Sequence, residues 1–411
     1  MRILLYEHVS SGGYAGESIP PSLLSEGFAM LRGLTNDFKA AGHEITVLLD
    51  ARIAAVNPPL NSDHLVQIAS SKEVGSVLEK SAKNSEAAYV IAPESNRVLQ
   101  SIVHHVEEMS TLSLNCKSEG IQQVADKQNL GIRARELGLS FPTTETCLVS
   151  DSPKDVERLI EDKLGFPVVV KPTHGAGTSG LTFARTRQDV AAALVKVKEE
   201  TNGCRASLQK FIDGVPASVI LFCDGRNVLP ISLNLQEITL AGPNGVSSYD
   251  GGVVPLKHPL SDQAFSLAKR LTESFSGLIG YVGVDLILSD DKVTVIEVNP
   301  RLTTSYVGLR KVAHFNVAQA IFDAVSETEL PNKSEIHGYS CFSKLKVSGS
   351  AIFDWRELWE CNAIASPPLV WNEQGVSFAL VQSYGETFIK ASHRLRVAKN
   401  RFLKIFIGDD R

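Results

Sequence analysis

The sequence, 411 residues long, has no stretch approaching 18 consecutive apolar residues, so no transmembrane helix is expected. Its opening, MRILLYEHVS, offers too few apolar residues before Glu7 for the hydrophobic region of a signal peptide, and it reads as a buried first strand. Clustered cysteine is also missing. Cys116, Cys147, Cys204, Cys223, Cys341 and Cys361 lie far apart with no C-x-x-C pair, which argues against a disulfide scaffold or a zinc site and fits reduced thiols in a cytoplasmic protein. There is no basic surplus: 41 Lys and Arg stand against 46 Asp and Glu, a net charge of −5 that speaks against nucleic-acid binding. No long-period repeat or low-complexity tract occurs. No Walker A loop is present, since no G-K-[ST] follows a glycine-rich turn.

What remains is the composition of a globular enzyme, 43% hydrophobic and 21% charged, at a length that predicts two to four domains. Strands over 2–6, 43–50 and 86–93 alternate with helices over 23–41 and 96–109, which predicts a parallel α/β sheet for residues 1–115. A continuous helix is expected over 118–138. A lobe spanning 116–210 then combines strands at 143–149, 166–172 and 206–211 with helices starting after Ser152 and Thr186, both marked as helix caps. Residues 211–330 carry strands at 217–223 and 228–234, a helix over 262–277, a hairpin over 282–300 and a helix over 315–327. After Pro331 short alternating runs (FSKLKVSG, VSFALVQS, TFIKAS, RFLKIFIG) predict a small β-rich appendage over 331–411.

The densest chemical signal is Asp285 with Glu297-x-Asn299. Strand side chains alternate, so Glu297 and Asn299 share a face. With Asp290-Asp291-Lys292 as the hairpin loop, Asp285 falls opposite Glu297 on that same face. Two carboxylates and an amide oxygen are hard ligands suited to Mg²⁺. Both acids sit among Val, Ile and Leu, where burial is costly without a cation. The plainer alternative is a pair of exposed hairpin acids. A second signal is Lys171, delivered by the strand FPVVVKP to a loop containing His174, Gly175, Gly177, Thr178, Ser179 and Gly180, whose backbone N–H groups and hydroxyls suit phosphate oxygens; an ordinary hairpin turn competes with it. Third, Gln209-Lys210-Phe211-Ile212-Asp213-Gly214 is a short apolar linker able to sandwich a flat base, or simply an interdomain strand. Fourth, Lys127 follows Asp126 in a helix, where a solvated lysine is the default. GGYAGE (12–17), with Asp50 ending the second strand, lacks the G-x-G-x-x-G spacing of a nicotinamide-dinucleotide site.

The order of these signals, and above all the block GVDLIL…VIEVNPRL, resembles the ATP-grasp superfamily over about residues 1–325. The resemblance implies a pre-ATP-grasp domain followed by two α+β lobes gripping ATP. It implies Lys127 and Lys171 at the phosphates, Gln209, Lys210, Phe211 and Ile212 at the adenine, and Asp285, Glu297 and Asn299 around two Mg²⁺ ions, with Mn²⁺ an alternative. Many members carry an acid for the ribose just past the linker; here only Asp213 is available. Within the superfamily the chain looks most like the tyramine–glutamate ligases of methanofuran biosynthesis, on the strength of Glu7 with its glycine loop and the run Asn299-Pro-Arg-Leu-Thr-Thr-Ser-Tyr306. The expected activity is an ADP-forming union of a small-molecule carboxylate and an amine through an acyl phosphate. Arg301 and Lys171 are the expected catalytic cations, and the 174–180 loop the expected lid. Thr303 to Tyr306 and Tyr249 to Gly252 are candidates for the substrate or for structural turns. Relatives of this kind are often homodimers. Another ligase specificity, an ATP-binding protein without turnover and a nicotinamide-dependent oxidoreductase are the competing readings.

Overall fold

In the computed structural model of the chain, residues 1–173, 180–201, 204–326, 329–331, 336–348 and 361–407 are described. The apolar runs near the N-terminus build one parallel sheet from β1 (Arg2–Glu7), α1 (Pro21–Ala40), β2 (Glu44–Asp50), α2 (Ala51–Ala54), β3 (His64–Ile68), α3 (Val74–Lys83), β4 (Ala87–Ile91), α4 (Val98–Glu107) and β5 (Leu112–Ser113), in strand order β3-β2-β1-β4-β5. The sequence reading misses β3 and α3. HLVQI buries only its last residue fully, so it lacks the apolar run that betrays a central strand. Phe28, Leu31, Leu34 and Phe38 recur at helical spacing along α1 and are fully buried.

The helix expected over 118–138 is two helices, α5 (Ser118–Ala125) and α6 (Lys127–Glu136). Asp126 breaks it, leaving helical geometry at ψ 102 and accepting hydrogen bonds from the Gln128 and Asn129 N–H groups at 2.9 and 3.2 Å. A short acidic side chain prefers this capping role to a place inside a helix. The break turns Lys127 into the first residue of a new helix.

A small lobe follows, with β6 (Thr144–Leu148), α7 (Pro153–Lys163), β7 (Val168–Pro172), β8 (Thr182–Ala184), α8 (Val190–Thr201) and β9 (Arg205–Lys210). Its four-stranded sheet, in order β6-β9-β7-β8, packs a core of its own, including Val156, Ile160, Val170, Val190 and Leu208. The large lobe contributes β10 (Val215–Cys223), β11 (Val228–Thr239), β12 (Ser248–Val254), α9 (Ser261–Glu273), β13 (Gly280–Leu288), β14 (Val293–Asn299), α10 (Tyr306–Val312) and α11 (Val317–Ser326).

The C-terminal region adds β15 (Tyr339–Ser348), β16 (Ile364–Ser366), β17 (Val376–Gly385) and α12 (Phe388–Ile407). Its strands extend the large-lobe sheet to eight, in order β14-β13-β10-β11-β12-β15-β17-β16. The runs TFIKAS and RFLKIFIG, expected as strands, fall largely within α12. Ala391 and Phe402 are buried and Leu395 packs beside them, a helical period that short windows conceal. One apolar cluster runs from Ile3 and Phe28 through Tyr281 and Tyr306 to Phe342 and Leu380, so the N-terminal domain, large lobe and C-terminal strands share a core.

Tyr249 to Gly252, weighed above as a turn or substrate site, lie within β12. Gly251 has φ +143, and a Cβ there would lie 2.1 Å from the Phe342 carbonyl oxygen of β15. Glycine is what lets the C-terminal strands dock. Gly251→Val should lower stability by about 3 kcal/mol or more, read from thermal unfolding, whereas Gly75→Ala at an open helical position should not lower it.

Candidate active site

The site lies where the faces of the two lobe sheets meet. Asp285 on β13 pairs directly with Glu297 on β14, as the alternation of side chains predicts. The route to that register differs from expectation. The connecting loop is Ser289 to Lys292, closed by a 2.9 Å bond from the Ser289 N–H to the Lys292 carbonyl, and a bulge at Ile296 restores the pairing one residue later. Asn299 donates to Asp285 Oδ2 at 3.0 Å, and Gln236, reaching across from β11, donates to Oδ1 at 3.0 Å. Gln236 was not foreseen, because its strand position carries no local motif.

Burial, followed by repulsion from Glu297, pushes the Asp285 carboxyl up to about 7. Burial acts the same way on Glu297, but the nearby Lys127 and Lys171 outweigh it and hold its pKa below the usual carboxylate value. Lys127 lies 3.1 Å from Glu297 Oε2. It is therefore not the solvated helix lysine of the default reading. Lys171, at the end of β7, is buried and donates to Gln209 Oε1 at 3.0 Å. Desolvation, and then the neighbouring Lys127, lower its pKa to about 7.

Asp285, Glu297, Lys127, Lys171 and Gln209 help line a cleft of about 480 Å³. Val169, Leu181, Ile238, Leu240, Ile287 and Ile296 give it apolar walls. Lys210, Phe211 and Ile212 also border it, and Lys210 spends its own N–H on the Thr143 carbonyl at 2.9 Å. Asp213 is exposed and lies outside the described lining. His174, Gly175, Gly177, Thr178 and Ser179 lie outside the described residues, as does the expected lid they form.

Arg301 reaches the cleft but is not a free cation. Its Nη2 donates to Glu94 Oε2 at 2.9 Å and its Nη1 to the Leu302 carbonyl at 3.0 Å. Desolvation opposes its charge, yet Glu94 keeps its pKa raised. Glu94 follows β4 in the N-terminal domain, and it also lines a second cavity of about 690 Å³ together with Lys127, Arg97, Arg135 and Arg205. Nothing in PESN marks Glu94 chemically; only the topology, at the carboxyl end of a parallel strand, points to it. Of the other candidates, the Tyr306 hydroxyl is tied to Asp37 at 2.5 Å, Thr303 meets the Tyr281 hydroxyl at 3.0 Å, Thr304 donates to Glu26 at 2.9 Å and Ser305 is buried.

The donor set fits a divalent cation. Burial, and then the charge of Glu297, drive Asp285 toward its neutral form, and Glu297 and Asn299 stand beside it. Among the described residues no three His, Cys, Asp or Glu side chains group as a metal site, and the oxygen donor beside the two acids is the Asn299 amide. A raised folded pKa means that the metal-free protein binds a proton at Asp285 that the unfolded chain has already lost. Stability from this group is therefore present near pH 4 and is lost as pH rises through about 7. In metal- and nucleotide-free protein, Asp285→Asn should gain stability relative to wild type as pH rises from about 5 to about 8. Parallel thermal unfolding curves with no pH trend would contradict the charge balance described.

Comparison with known proteins agrees with this geometry. A family model for the ATP-grasp domain matches residues 124–305, and one for the pre-ATP-grasp domain matches residues 43–121. A tyramine–L-glutamate ligase from Methanocaldococcus fervens is 27% identical over 335 residues, covering 81% of this chain and 97% of the relative. Its counterpart from Methanocaldococcus jannaschii is 28% identical over 313 residues, covering 75% and 84% respectively. An ATP-grasp superfamily protein from Archaeoglobus fulgidus shares the fold with a TM-score of 0.63 at 23% identity, covering 93% of this chain and 99% of that one. Biotin carboxylase from Campylobacter jejuni does so with a TM-score of 0.70 at 14% identity, covering 97% and 90%. No helix among the described residues is long and apolar enough to cross a membrane. With two lysines facing two acids and an asparagine across a nucleotide-sized cleft, the chain belongs to the ATP-grasp superfamily and is an ATP-dependent ligase.

Proposed function

We propose that the enzyme joins a carboxylate of glutamate to the amine of tyramine through an acyl phosphate, releasing ADP and phosphate. The names of two relatives covered over most of their length support the substrate pair. The observation that carries the chemistry is the Asp285–Glu297 pair facing Lys127 and Lys171 in the cleft.

The adenine packs against Phe211 and the apolar walls that both lobes give the cleft. The Lys210 carbonyl and Ile212 N–H serve its edge, and Gln209 supports Lys171 beside it. Triphosphate oxygens meet Lys127 and Lys171, and their negative charge returns Lys171 to its protonated form. Asp285, Glu297 and Asn299 would hold Mg²⁺, which when bound neutralises phosphate charge as the γ-phosphoryl group transfers. A substrate carboxylate oxygen attacks the γ-phosphorus, the bond to the ADP oxygen breaks, and an acyl phosphate forms. The amine, as its free base, attacks the acyl carbon, the C–O bond to phosphate breaks and the nitrogen loses a proton. Arg301, fixed by Glu94, lies where it can hold the transferred phosphate or the tetrahedral oxyanion. The adjoining cavity of about 690 Å³ offers Arg97, Arg135 and Arg205 to substrate carboxylates and Phe141 to an aromatic amine. No enzyme nucleophile is required, since the side chains position groups and exclude water.

ADP release should require glutamate, and the glutamyl-tyramine amide should appear by mass only when tyramine is added. ADP release with other acids or amines and none with this pair would assign a different specificity. Glu297→Gln should abolish ADP release with little change in unfolding temperature; near-normal turnover would refute its role at the metal. Glu94→Gln should lower kcat/KM roughly tenfold or more through loss of a charge-assisted hydrogen bond to Arg301, with little change in the KM for ATP.

A further inference from the structure

A third cavity, of about 70 Å³, lies between α1, α10 and the C-terminal strands, well apart from the nucleotide cleft in its lining residues. Arg32 from α1 and Arg310 and Lys311 from α10 converge on it, and Asn36, Asn362 and Gln382 complete its polar wall. No carboxylate belongs to its described lining. The nearest acid, Asp37, is already engaged by Arg310, with Nε at 3.0 Å, and by the Tyr306 hydroxyl at 2.5 Å. Among the described residues Arg32 donates only to the Ile364 and Ala365 carbonyl oxygens, at 2.7 and 3.5 Å. Lys311 has neither an ion pair nor a hydrogen bond among the described residues.

Three cations against one committed acid leave about two positive charges facing a half-buried space. Such an arrangement is unfavourable unless an anion shares it. Burial, then repulsion from Arg310, lowers the pKa of both Arg32 and Lys311, and Asp37 offsets this only in part at Lys311. Gly33 maintains the approach, since a Cβ there would meet the Arg310 and Tyr306 side chains at 3.1 Å. The cavity is far below the several hundred Å³ that a nucleotide or cofactor needs. We propose that this junction is a binding site for a small tetrahedral oxyanion of the phosphate class, held by Arg32, Lys311 and Arg310 with the Asn36, Asn362 and Gln382 amides around it.

The test is thermal unfolding of the full chain with the nucleotide cleft saturated by ADP and Mg²⁺. Inorganic phosphate is titrated against chloride at constant ionic strength. Wild type should show a saturable rise in Tm of about 3 °C. Lys311→Met, which removes no side-chain hydrogen bond or ion pair among the described residues, and Arg32→Gln should each lose most of that rise while keeping the full ADP-induced shift. The site does not exist if wild type unfolds identically in phosphate and chloride, or if the Lys311→Met protein responds to phosphate as wild type does. Because occupation of the nucleotide cleft is held constant, the outcome is independent of which acid and amine the enzyme joins.

Discussion

Two carboxylates placed directly opposite each other on neighbouring strands cannot both stay charged in an apolar wall without cations nearby. This constraint at Asp285 and Glu297 organises the rest of the site. It explains why a helix is broken at Asp126, so that Lys127 starts α6 and reaches Glu297. It explains why β7 ends in a buried lysine supported by Gln209 rather than in another apolar residue. Asn299 and Gln236 then fix the orientation of the Asp285 carboxylate. Lys127 and Lys171 offset the charge of the paired acids only in part, since the Asp285 carboxyl stays pushed up to about 7.

Much of this was legible because it is local. The acids sit on a hairpin whose two strands are close in sequence, so alternation alone brings them together, and the bulge at Ile296 changes the route without changing the pair. Lys171 was visible as a charge closing an apolar strand. What escaped notice depends on distant parts of the chain. Glu94 and Gln236 become site residues only when β4 and β11 are placed beside the hairpin. Thr303 to Tyr306, attractive as substrate contacts by position, spend their side chains on Tyr281, Glu26 and Asp37 or on burial. The C-terminal helix was hidden by windows too short to show its period. β12 was hidden by two glycines whose purpose, close approach to β15, no local pattern reveals.

The C-terminal strands are part of the large lobe rather than an attachment to it. They widen its sheet to eight strands and press against α1, where Lys344 of β15 donates to both Ser22 and Glu26 at 2.7 Å. Glu26 in turn accepts from Thr304, a few residues beyond Asn299. The segment that carries Asn299 is thus braced from behind by the first helix and by the last sheet strands together.

The small lobe stands apart in this respect. Its apolar residues form a cluster separate from the one that unites the other regions. Its links to the loop between β11 and β12 are polar, among them Phe183 N–H to the Ala241 carbonyl at 2.8 Å and Lys196 to the Gly245 carbonyl at 2.6 Å. Tilting this lobe over a seated nucleotide would exchange a handful of such bonds for others, with water as a ready substitute, and would pull no oily surface open. The small lobe can therefore be cheap to move while the lobe bearing the two acids stays fixed.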